Sequence, residues 1–235
     1  MEVVSCDPID IVALGKAHNC LVVGIHIKIK DLDSRASEML ETISNTSWIN
    51  EFGAVKKISF EARAKRTIQK LVDLIINRSE TELTTDFGEY LVSDSAQCVL
   101  NLNCNHLKVP LAELLKEKVS GNPGFDFHTE SCESFIAFGE AKYSGSINPY
   151  TKALQQIVDF ISLEKDSAEL DLLENFVSAG AITNYLAGHK AYVAAFSINS
   201  EEPEKIILNA VNHALTDKLL VYKELYIIGV EIDAG

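Results

Sequence analysis

Residues 135–143 read FIAFGEAKY, a run that is apolar or small except for two charges near its end. Side chains alternate across a strand, so Ile136, Phe138, Glu140 and Lys142 share one face, while Ala137, Gly139 and Ala141 share the other. A strand here therefore carries a carboxylate and an ammonium side by side at the edge of an apolar segment, where each perturbs the titration of the other. Alone, Glu-x-Lys is an ordinary same-face ion pair; its surroundings decide whether it is more.

Upstream, Asp126 stands in its own short apolar segment, Phe125-Asp126-Phe127, after Pro123-Gly124. Residues 129–139 are enough chain to fold back, and a hairpin brings Asp126 near Glu140. Two converging carboxylates with an open side suit a hard divalent ion, Mg²⁺ or Mn²⁺, which keeps several waters and takes its remaining oxygens from a phosphate. Lys142 then orients or deprotonates an attacking water, and the set is chemically sufficient in outline for phosphodiester hydrolysis. Glu89 is a third candidate metal ligand, although an acid in a first helical turn also serves the helix dipole. Gln156 is expected to hydrogen-bond to the site from the margin of a helix whose core stripe is Leu154, Ile157, Val158 and Ile161. His128 shares the strand face of Asp126 and reads as a structural histidine, with a second ligand or a phosphate contact as the alternative. Tyr150 and Lys152 stand near a helix N-terminus, where anions are favoured.

The order of elements mixes helices and strands along the whole chain. Strands are expected at 20–30, 124–128, 134–143, 190–198 and 224–233; helices at 34–50, 58–76, 86–100, 148–163 and 203–215. Residues 107–118 suggest a strand or short helix, and 119–123 a turn. The acidic stretch 164–174, EKDSAELDLLE, reads as a solvated helix or connector. The expectation is an α/β (mixed α+β) fold: a central mixed sheet flanked by helices, with an N-terminal strand–helix elaboration. It is organised as one domain of 235 residues.

Charge divides the chain unevenly. The net charge of −13 opposes a general nucleic-acid coat. Between residues 56 and 78, however, Lys56, Lys57, Arg63, Lys65, Arg66, Lys70 and Arg78 face only Glu61 and Asp73. This local surplus marks a basic helix face suited to a phosphate backbone. Five cysteines, an odd number without Cys-x-x-Cys, suggest neither a disulfide framework nor a thiolate zinc site. No apolar run reaches membrane-spanning length and the first residues lack a basic signal-type start, so the cytoplasm is the expected location. No Gly-x-x-x-x-Gly-Lys-Ser/Thr loop occurs, so any ATP-driven work would have to come from another chain.

These residues, taken in order, resemble the PD-(D/E)xK nuclease superfamily. In that family a helix with an acidic residue precedes a sheet bearing Asp and Glu-x-Lys, and a following helix supplies Gln. The resemblance covers 86–198 as a restriction-endonuclease-like core, with 1–85 an N-terminal elaboration and 199–235 a C-terminal helix and strand. Glu89 corresponds to the first-helix acid, Asp126 to the motif Asp, Glu140 and Lys142 to the Glu-x-Lys pair, and Gln156 to the helix Gln. Two departures stand out: Gly124-Phe125-Asp126 replaces Pro-Asp, and Phe160 stands where some relatives carry Tyr.

The phrases NPGFDFH, FGEAKYSG and NPYTKALQQ resemble more narrowly the nuclease subunits, HamA, of Hachiman anti-phage defence systems. That resemblance implies a Mg²⁺-dependent deoxyribonuclease of little sequence specificity, restrained by a partner helicase of the HamB type. The competing classes are a catalytically silent module of the same fold that binds DNA ends or docks on a helicase, and an RNase or structure-selective resolvase.

Overall fold

The computed structural model describes residues 1–16, 19–76, 83–115 and 124–233. Its centre is a seven-stranded mixed sheet in the order β1-β2-β7-β6-β5-β4-β3. The strands are β1 (Glu2–Pro8), β2 (Leu21–Ile29), β3 (Leu107–Lys108), β4 (Phe127–Glu130), β5 (Ile136–Lys142), β6 (Ala191–Ile198) and β7 (Glu224–Ile232). β2, β7, β6 and β5 run parallel; β1, β4 and β3 pair antiparallel at the two sides. Burial on both faces explains why β6 and β7 read as nearly continuous apolar runs, AYVAAFSI and ELYIIGV. β7 lies between β2 and β6, so the N-terminal and C-terminal segments share one sheet with 86–198.

Helices cover both faces. α3 (Thr85–Cys104) packs across β4, β5 and β6, and α1 (Leu32–Ser44) and α2 (Ala54–Ile76) lie against it. α5 (Tyr150–Ser162) lies across β5 and β6, with α9 (Pro203–Val211) on β2 and β7. α10 (Ala214–Leu219) leans on α5. Alternation along β5 sorts these layers. Phe138 stacks on Phe125, which meets Phe160 of α5, whereas Tyr143, of opposite parity, meets α3.

Several boundaries differ from expectation for local reasons. α3 starts one residue earlier than expected, capped by Thr84, whose hydroxyl accepts from Phe87 N at 3.3 Å. Residues 203–215 split into α9 and α10 because His213 takes an extended backbone and accepts from Leu215 N at 3.2 Å, starting a new helix. β1 was not foreseen: its seven residues are mostly exposed or half-buried, so its apolar signal is weak. Arg78 and the turn at 119–123 lie outside the described residues.

The acidic stretch 164–174 is a correction. It forms two short turns, α6 (Lys165–Ala168) and α7 (Leu170–Leu173), and two of its acids are buried rather than solvated. Asp166 pairs with Lys190 and accepts from the Tyr192 hydroxyl at 2.9 Å. Glu169 meets His128 Nε2 at 2.7 Å and accepts from Phe125 N at 3.2 Å. The stretch thus fastens the segment leading into β4, and His128 has the structural role expected of it.

Candidate active site

The β4–β5 hairpin sets the geometry. β4 pairs with β5 from Phe127 opposite Gly139 to Glu130 opposite Ile136, so β5 extends past the start of β4 from Glu140 onward. Asp126, at the bend before β4, reaches along that edge: its N–H donates to Gly139 O at 2.9 Å, and its Oδ2 accepts from Ala141 N at 3.0 Å. Gly139 is required here, because a Cβ at this position would fall 2.3 Å from the Phe127 ring. These backbone bonds hold Asp126 beside Glu140, as the sequence predicts.

Glu140 is fully buried. Its Oε1 accepts from Lys142 Nζ at 2.6 Å, while Oε2 has no hydrogen-bond partner among the described residues. Burial and the neighbouring Asp126 carboxylate push the Glu140 carboxyl well above its ordinary range, and Lys142 offsets only part of this. An unpartnered buried carboxylate oxygen costs stability and needs an explanation. For Lys142, burial favours the neutral amine, but Glu140, Asp126 and Glu89 together outweigh it and hold the side chain as an ammonium.

α3 brings the third acid. Glu89 is half-buried, with Oε1 3.6 Å from Lys142 Nζ. Its approach depends on Gly88, where a Cβ would come 2.1 Å from the Tyr143 ring. The loop after Lys142 is pinned in turn. Ser197 Oγ accepts from Ser144 N at 2.9 Å and donates to Ser144 O at 3.0 Å, and Asn199 Nδ2 donates to Ser144 O at 2.7 Å. Gly88, Tyr143, Ser197 and Asn199 were not singled out in sequence for these positioning roles, since nothing local marks a pairing across fifty residues.

The remaining candidates are placed less tightly. Gln155 faces solvent and donates to Asp159 Oδ1 at 2.8 Å; Gln156 is half-buried on the same helix, and among the described residues no hydrogen bond joins it to the carboxylate pair. Lys152 is exposed in the first turn of α5, and Tyr150 packs on Phe196 and His213.

The basic residues lie along α2. Lys56 donates to Asn175 Oδ1 at 2.6 Å, Lys57 to Asn50 Oδ1 at 2.7 Å, and Arg63 to Leu115 O at 2.9 Å. Lys65 and Arg66 are exposed. Lys70 stands 3.7 Å from Asp86 and over the Tyr90 ring, which places that end of α2 beside the turn of α3 bearing Glu89.

A divalent ion fits this donor set. Among the described residues no group of three or more His, Cys, Asp or Glu side chains could hold a metal by itself. Mg²⁺ does not need one, since one or two carboxylates with water and substrate phosphate suffice. Asp126 and Glu140 could be such a pair, and Oε2 of Glu140 has no hydrogen-bond partner among the described residues. Among the described residues no helix is long and apolar enough to cross a membrane. Comparison of the chain with protein-family models, with curated proteins and with solved structures returned no match.

Proposed function

We propose that this chain is a divalent-metal-dependent nuclease that hydrolyses phosphodiester bonds in DNA. The observation that carries the reading is Glu140: fully buried, one oxygen on Lys142 and the other without a hydrogen-bond partner among the described residues, beside Asp126 where β5 extends past β4. The Lys142 ion pair repays only part of that burial. Replacing such a pair by apolar residues commonly leaves stability unchanged or improved, which points to a use in chemistry.

Asp126 and Glu140 would hold Mg²⁺ or Mn²⁺. When bound, the ion supplies neutralising charge for the phosphate and acidifies the attacking water. Asp126 is fixed for its role by the backbone of Gly139 and Ala141 and needs no rearrangement. Lys142, held as an ammonium, acts by donating hydrogen bonds: it orients the water or steadies charge on the phosphate, rather than removing a proton. Glu89 anchors Lys142 from the α3 side.

α2 supplies the track for the nucleic-acid backbone, its last turns lying against the helix that carries Glu89. Contacts from Lys and Arg to phosphate position a strand without reading its bases, so little sequence specificity is expected. The mixed sheet with helices on both faces and the hairpin-borne carboxylates support a restriction-endonuclease-like reading of the fold. The resemblance to Hachiman nucleases adds a partner helicase as the controlling subunit, and the acidic balance of the chain suits an enzyme brought to DNA by a partner.

The test is cleavage of linear, supercoiled and single-stranded DNA, and of RNA of the same sequence, with Mg²⁺, Mn²⁺ or EDTA. Metal-dependent cutting of DNA by the wild type, lost in folded Glu140→Ala and Lys142→Ala, is the expected result. Retained cleavage in both variants overturns the site. A folded wild type that cuts nothing, even with the partner helicase and ATP, points instead to a silent DNA-binding module.

A further inference from the structure

A second feature lies away from the β5 edge. Between the end of α1, the 3₁₀ turn Ser47–Glu51 and the middle of α3 is a cavity of about 350 Å³, within the range of small-molecule sites. Trp48 and Phe176, 5.4 Å apart between ring centroids, form its aromatic wall, and Leu111 and Leu114 add aliphatic surface. Exposed Asn45 and Ser47 stand at its margin.

One buried polar atom of this cavity lacks a hydrogen-bond partner among the described residues. Asp94 is 1% exposed; its Oδ2 is taken by Arg35, but its Oδ1 has no hydrogen-bond partner among the described residues. Lys108 lines the cavity together with Asp94 and approaches Oδ1, whereas Arg35 takes Oδ2. Lys108 Nζ, partly exposed, sits at ion-pair distance from Oδ1, 3.8 Å and beyond hydrogen-bond reach, and donates a long hydrogen bond to Cys98 Sγ at 4.0 Å. A buried acceptor without a hydrogen-bond donor thus stands next to a partly exposed ammonium, in a cavity that also presents the rings of Trp48 and Phe176. Arg35 and Lys108 leave no excess negative charge there, which disfavours a cationic ligand.

We infer that this cavity binds a nucleobase-type heterocycle. One edge of a flat base offers adjacent donor and acceptor groups: an amino or ring N–H for Asp94 Oδ1, and a ring nitrogen or carbonyl for Lys108. Its ring face stacks on the aromatic wall, an interaction every base provides. The base belongs either to a free nucleotide or to an unpaired position of a nucleic-acid strand. The inference is independent of the nuclease reading, although α3 carries both Asp94 and Glu89, and Gln97 of the same helix donates to His128 O, two residues from Asp126, at 2.9 Å.

Trp48 is the single tryptophan of the chain, so its fluorescence reports this cavity directly. The experiment titrates the full chain in EDTA, which removes cleavage from the readout, with adenosine, guanosine, cytidine, thymidine, their monophosphates and a single-stranded oligonucleotide. Saturable quenching is expected, weakened about tenfold in Lys108→Met, the loss of roughly one charge-assisted hydrogen bond. Asp94→Asn should weaken it further, and because that change leaves Arg35 buried without its charge partner, circular dichroism must accompany it. Quenching by nucleosides or nucleotides identifies a free ligand as the source; quenching by the oligonucleotide alone, lost in Lys108→Met, identifies a strand base. A flat titration for every probe, or equal affinity in wild type and Lys108→Met, overturns the inference.

Discussion

Gly88 and Tyr143 occupy one another's space: a methyl group on Gly88 would lie 2.1 Å from the Tyr143 ring, although 55 residues separate them. This contact lets α3 lie close enough to the end of β5 for Glu89 to meet Lys142 at 3.6 Å. Gly88→Ala should therefore cost about 1–3 kcal/mol of stability and reduce cleavage together. Tyr143→Leu in the same chain should restore part of both. A double-mutant cycle on urea midpoints checks the coupling, and strictly additive effects would show that the two residues do not constrain each other.

Glu140 is held against its own ionisation by burial and by Asp126. Glu140→Gln should therefore leave the metal-free protein as stable as the wild type, or more stable by about 1 kcal/mol, while removing cleavage by a factor on the order of 100 or more. Thermal denaturation in EDTA beside a cleavage assay separates the two effects. A large loss of stability would make Glu140 a structural residue.

His106 is buried between the Thr129 hydroxyl at 2.9 Å and the Tyr226 hydroxyl at 3.0 Å. Burial pushes its pKa down to about 4. A histidine kept neutral in the fold but ordinary in the unfolded chain contributes stability that is full above about pH 6.5 and lost as the pH falls toward 4. The loss should reach about 3 kcal/mol at most, a bound set by the difference between the two pKa values. Urea denaturation between pH 7 and 4.5 should show a shallower acid slope in His106→Gln than in the wild type; parallel profiles would refute the assignment.

Asp166 joins a connector to the sheet through Lys190 and the Tyr192 hydroxyl. Removing one partner of a buried ion pair strands the other, so Asp166→Ala should cost about 3–5 kcal/mol, far more than an exposed acid in the same stretch such as Asp171. Chemical denaturation of the two variants tests this directly.

What could be read from sequence follows the range of the forces involved. Alternation in FIAFGEAKY and the preceding FDF were enough to place Asp126 beside Glu140 and to put Lys142 on the face of Glu140, because hairpin register is local. The acids of 164–174 looked solvated, since their partners His128, Lys190 and Tyr192 lie tens of residues away and their burial depends on tertiary packing. Tyr143 against Gly88 was invisible for the same reason: a glycine in a helix does not announce which ring will need its space. The central position of β7 depends on topology that strand-by-strand reading does not supply.

Asp126 and Glu140 together should receive a divalent cation. Binding of Mn²⁺ followed by the loss of its free electron paramagnetic resonance signal tests this without requiring turnover, partner or trigger. Saturable binding to the wild type, competed by Mg²⁺ and lost in folded Asp126→Asn and Glu140→Gln, is the result predicted. Mn²⁺ binding that is absent in the wild type in the presence of single-stranded DNA, or unchanged in both variants, would contradict it.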